Sequence, residues 1–124
     1  MRRISFRVTI IAMSKNTLQK GSVRYIVFRE NGKWYAVGLE FNIVEIGDSP
    51  QEASILLFEA LAGYVEAARK TKTRPTILNQ TSDPEYEKMW NDSQKQTSKT
   101  AEKIFSFGRL NIKEMVSSGA LMPA

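Results

Sequence analysis

Val23-Arg24-Tyr25-Ile26-Val27-Phe28-Arg29-Glu30-Asn31-Gly32-Lys33-Trp34-Tyr35-Ala36-Val37-Gly38-Leu39 is the stretch that decides the fold. Two runs rich in β-branched and aromatic residues flank Asn31-Gly32, and that arrangement predicts a β-hairpin. Asn-Gly suits a type I′ turn because both residues accept positive φ and the twist of the turn matches that of the strands it joins. Alternation along each strand is expected to place Tyr25 and Val27 on one face with Tyr35, Val37 and Leu39, and Ile26 and Phe28 on the other with Trp34 and Ala36. Both faces are partly apolar, so both are expected to meet something.

Beyond the hairpin, Ile43, Val44 and Ile46 predict a third strand over about 42–46. Gly47-Asp48-Ser49-Pro50-Gln51-Glu52 is a dense helix start, with Ser49 as N-cap, Pro50 in the first helical position and Glu52 placed for a capping box. Ala53, Leu56, Leu57, Ala60, Leu61, Tyr64, Val65 and Ala68 then recur at three- and four-residue steps. This stripe predicts one long helix, ending near Lys70, that lies on a face of the sheet.

The flanks are less regular. Ile4, Phe6, Val8, Ile10 and Ala12 alternate with polar residues and predict an added strand, and a polar loop separates it from Val23. Residues 71–82 contain Pro75 and read as a linker, after which Asp83-Pro84-Glu85-Tyr86 restarts a helix carrying Tyr86, Met89 and Trp90. That short helix has to bury its apolar patch against a partner or against its own sheet. Ile104, Phe105, Phe107, Leu110 and Ile112 read as a second short helix or a docking tail. The chain therefore divides into an N-terminal extension (1–22), a core (23–70) and a linker with a partly helical tail (71–124). Its expected class is α+β: a small antiparallel sheet of three to four strands with one long helix packed on it.

Composition narrows the function. The 124 residues are 42% hydrophobic and 25% charged, as in one ordinary globular domain. There is no cysteine and no histidine. A Ser-His-Asp triad, a Cys-His pair and a thiolate- or imidazole-bound zinc are all excluded, and no catalytic residue, metal or cofactor is expected. No apolar run approaches the roughly 18 residues of a membrane span, and Arg7 interrupts the first apolar run, so a soluble cytoplasmic protein is expected. The formal charge of +5 is spread along the chain and favours an acidic partner.

Taken together, the hairpin Tyr25-Ile26-Val27-Phe28 with Trp34-Tyr35-Ala36-Val37, the segment Gly47-Asp48-Ser49 with Glu52-Ala53, and the helix ending Leu61 with Tyr64-Val65 resemble the HicB antitoxin-like family. Gly-Asp-Ser-x-x-Glu-Ala is the element matched most cleanly, while Leu39-Glu40-Phe41-Asn42-Ile43 replaces the family's Pro-rich turn. Residues 71–124 resemble neither of the DNA-binding units that often follow the core. The resemblance covers roughly residues 23–70. It implies a β-β-β-α fold without a nuclease centre, self-association into oligomers, and a non-enzymatic role as an antitoxin that blocks a small basic HicA-like toxin, or as an orphan relative.

On that reading Trp34, Tyr35, Glu40 and Phe41, around the hairpin and the turn after it, are the candidate partner contacts. The alternative is a nucleic-acid-binding accessory protein using the basic cluster Arg69, Lys70, Lys72 and Arg74. Cations at a helix C-terminus also complement the helix dipole, which is the plainer account of that cluster. A metal-dependent nuclease cluster of Glu30, Glu40, Glu45 and Asp48 is a third reading, but carboxylates at strand edges and turns are ordinarily only solvated.

Overall fold

The computed structural model describes residues 15–71, 75–95 and 102–118. Strand β1 (Ser22–Glu30) turns into β2 (Lys33–Gly38), β3 (Ile43–Gly47) follows, and helix α1 (Pro50–Thr71) comes next. A 3-10 turn (Pro75–Leu78), helix α2 (Pro84–Lys95), strand β4 (Ile104–Asn111) and a short helix α3 (Ile112–Ser118) complete the order. The four described strands make one antiparallel sheet in the order β3-β2-β1-β4, so the fold is α+β as expected.

The hairpin forms where its turn residues demand. Asn31 and Gly32 take φ of 53° and 78°, as a type I′ turn requires. A two-residue loop pairs Glu30 with Lys33, and every pair behind it then joins an odd position to an even one. The expected faces are corrected accordingly. Tyr25 and Val27 share a face with Gly38 and Ala36, whereas Ile26 and Phe28 share the other with Val37 and Tyr35.

The segment read as a helix or docking tail is instead β4, which runs antiparallel to β1 from the Ser22–Asn111 pair to the Phe28–Ile104 pair. Phe105 is the extra residue of a bulge between the partners of Val27 and Phe28. The strand expected over residues 4–12 lies outside the described residues, and the fourth strand of this sheet comes from the other end of the chain.

β1 is thus an inner strand covered on both faces, which explains its nearly unbroken apolar run. On one face Val23, Val27 and Ala36 pack against Ala53, Leu57, Leu61 and Val65 of α1, joined by Ile112 and Met115 of α3. On the other, Ile26, Phe28, Val37 and Leu39 pack against Met89 and Trp90 of α2. Tyr86, Met89 and Trp90 therefore serve their own sheet. Complete burial of a leucine such as Leu57 or Leu61 contributes about 2 kcal/mol.

Helix α1 starts as its sequence predicts. Ser49 Oγ accepts from the Glu52 N–H at 3.0 Å, and the Glu52 carboxylate accepts from the Asp48 N–H at 2.6 Å. Gly47 is required by proximity, since a Cβ on it would stand 2.7 Å from the backbone nitrogen of Ala53.

Candidate functional site

The four candidate partner contacts do not form one surface. Trp34 and Tyr35 lie at the turn end of β2 and face opposite sides of the sheet. Trp34 meets the Phe105 ring edge-on at 5.6 Å and lies beneath the Arg29 guanidinium at 5.7 Å. Tyr35 stacks on Phe28 with ring centroids 5.3 Å apart and planes 9° apart. Glu40 and Phe41 lie past the other end of β2. Phe41 is 2% exposed and rests on the Tyr64 ring, so it is core.

Glu40 belongs to a charged joint. Its carboxylate accepts from the Arg24 backbone N–H at 2.8 Å and from Arg24 Nε at 2.5 Å. The two terminal nitrogens of Arg24 donate to both oxygens of Glu87 on α2, at 2.9 and 2.8 Å, and Ser82 donates its hydroxyl to Glu87 as well. Burial pulls the Arg24 pKa down, but the bond to Glu87 and the charge of Glu40 outweigh it and hold the guanidinium above its ordinary value. The bond from Arg24 acts first on Glu87 and, against some desolvation and with help from Ser82, holds its carboxyl below the usual range. Sequence reading missed this joint because residues 24, 40 and 87 come from three unconnected segments.

Of the basic cluster, Arg69 is bound back to Glu66 within its own helix, at 3.1 and 2.5 Å, and Lys70 is exposed at the last turn of α1. Lys72 and Arg74 lie outside the described residues. Among the described residues no three carboxylates converge on a point that would hold a metal ion. Glu30, Glu40 and Asp48 have local roles: Glu30 stands 3.7 Å from Lys103, Glu40 holds Arg24, and Asp48 donates its N–H to Glu52. Nor is any described helix long and apolar enough to cross a membrane.

The surface with the character of a docking site surrounds Tyr35 at the β3 edge. Ile46 and Val44 are the cross-strand partners of Tyr35 and Val37, so they share the face that α2 covers only in part. They remain 50% and 38% exposed. The two exposed rings of β4 are different, because Phe105 rests on Trp34 and Phe107 on Trp90. Beside Tyr35 a small cleft of about 110 Å³ opens between Phe28 and Tyr86, rimmed by Glu30 and Glu85. Burial, followed by the charges of Glu85, Asp83 and Glu30, pushes the Tyr86 phenol above its ordinary pKa and records the negative potential there. In the sequence, Tyr35 is an expected partner contact and Ile43, Val44 and Ile46 predict the strand beside it, but neither says which strand is an edge. No protein-family model, curated protein or solved structure matches the chain.

Proposed function

We propose that this chain is a non-enzymatic, HicB-like binding protein acting as an antitoxin, and that its partner is a small basic protein of the HicA-like kind. One observation carries the reading: a strand at the edge of the sheet among the described residues, with exposed Val44 and Ile46 beside Tyr35, next to a cleft rimmed by Glu30 and Glu85. β3 has no partner on its outer side among the described residues, so its backbone N–H and C=O groups are offered to a partner strand, and the apolar side chains supply the area. The rim carboxylates, of which Glu85 has no cation partner among the described residues, select for positive charge. The local charge matters more here than the +5 total, because the carboxylates of the rim lie within a Debye length, about 8 Å at physiological salt, of a docked surface.

The test is an affinity capture of the tagged chain from its own cells at low and high salt, with wild type and Ile46→Lys compared. A small basic protein retained in stoichiometric amount by the wild type and lost from the variant supports the reading. Capture of further copies of the chain alone, of nucleic acid alone, or equal capture by both forms sinks it.

A further inference from the structure

At the opposite end of β1 from the hairpin turn, a second and larger cleft of about 540 Å³ opens, and it is lined chiefly by polar atoms. Lys15 and Lys20 come from the loop before β1, Arg24 and Glu40 form part of the lining, Asn79 comes from the segment after the 3-10 turn, and Arg109 comes from β4. Four cations thus face one carboxylate. All thirteen acidic residues of the sequence lie within the described residues, and Glu40 is the single one that lines this cleft. Its charge is already engaged by Arg24. Among the described residues Lys15, Lys20 and Arg109 have no carboxylate partner.

The cleft is built rather than incidental. The Asn16 side chain, in the loop that carries both lysines, is buried and fully engaged. Its amide donates to the Leu78 carbonyl at 2.9 Å, and its carbonyl accepts from the Ser22 N–H at 2.9 Å. The Asn79 side chain closes the joint, accepting from the Asn16 N–H at 2.7 Å and donating to the Asn16 carbonyl at 3.0 Å. Thr17 folds the loop back through its N–H bond to the Lys20 carbonyl at 2.9 Å. On the facing wall, Arg109 is held with its guanidinium 5.3 Å from the centre of the Trp90 ring. The loop backbone that carries Lys15 and Lys20 is thus held, and Arg109 is positioned by Trp90, so an anion bound there has less of the wall to order.

We infer that this cleft binds a phosphate-bearing ligand of nucleotide size, with the phosphate between Lys15, Lys20 and Arg109. Two ammonium groups and a planar guanidinium match the several oxygens of a phosphate ester. The volume lies in the range of about 300–1,000 Å³ usual for small-ligand sites and is generous for a lone carboxylate. This site is separate from the β3 edge, and either can fail without the other.

The experiment measures binding of pyrophosphate, ATP and a short single-stranded oligonucleotide to the wild type, to Lys15→Glu with Lys20→Glu, and to Lys33→Glu with Lys95→Glu. The second double variant changes net charge equally but lies away from the cleft, and circular dichroism checks that both remain folded. The expected result is a loss of about tenfold or more in the cleft variant alone. ATP bound as tightly as the oligonucleotide identifies a free nucleotide, whereas a tighter, strongly salt-dependent oligonucleotide identifies a nucleic-acid backbone. No binding of any probe at millimolar concentration, or equal weakening by both double variants, overturns the inference.

Discussion

The Arg24 guanidinium on β1 donates two parallel hydrogen bonds, 2.9 and 2.8 Å long, to the Glu87 carboxylate on α2, while its Nε holds Glu40 at the end of β2. One side chain therefore ties the inner strand to the helix on one face and to the loop that leads into β3. The Arg24 side chain is 19% exposed and Glu87 is 40% exposed, so the bidentate geometry is only partly screened by water. Arg24→Met keeps the stem and removes the fork, leaving two carboxylates without their cation. The expected cost is about 2 kcal/mol, below that of a fully buried pair, and chemical denaturation measures it. Glu87→Gln, which keeps its shape and one acceptor, is expected to cost less.

The same joint sets an acid limit. The folded-state pKa of Glu87 is depressed, so the unfolded chain binds the proton more readily than the folded one. Its contribution is fully present above the unfolded carboxyl value of about 4.3 and is lost as the pH falls through the lower folded value. Thermal unfolding followed from neutral pH downward should show the midpoint falling below about pH 5, and Glu87→Gln should flatten that fall.

Gly47→Ala tests why a glycine opens the Gly-Asp-Ser segment. The added methyl would meet the Ala53 nitrogen at 2.7 Å and the Ala53 Cα at 3.1 Å, both backbone atoms of the first turn of α1. The helix would have to shift away from β3, at a cost of about 2 kcal/mol. Ser49→Ala, which only removes the cap, is expected to cost about 1 kcal/mol. Denaturant midpoints of the two variants should fall in that order.

Ile46→Lys separates association from stability. Ile46 is half exposed on an edge strand, and a lysine there keeps its stem on the sheet while its charge reaches water. The unfolding free energy should change by no more than about 0.5 kcal/mol. Retention of a basic partner, read by size-exclusion chromatography with light scattering, should fall sharply.

Much of the hairpin, the third strand and α1 was legible because each rests on local chemistry. Asn31-Gly32 adopts positive φ whatever surrounds it, Ser49 and Glu52 cap a helix from within a few residues, and the Ala53-to-Ala68 stripe needs only helical periodicity. Face assignment failed although the turn was read correctly, because faces depend on loop length through pairing register as well as on alternation along each strand. Strand β4 was missed for a related reason: Ile104-Phe105-Ser106-Phe107 alternates only briefly and is interrupted by a bulge.

By itself the sequence determined the class of fold, the β-β-β-α succession and the absence of cysteine and histidine chemistry, since these follow from residue types and short spacings. Only tertiary structure decided that β4 joins the sheet beside β1, that β3 is an edge among the described residues with Val44 and Ile46 in the open, that Arg24 joins Glu40 to Glu87, and that Lys15, Lys20 and Arg109 face one cleft. These are contacts between segments from 16 to 63 residues apart in the two Arg24 links alone, and no local periodicity encodes which distant segments meet. Packing area and paired charge select that meeting, and they act only once the chain has collapsed.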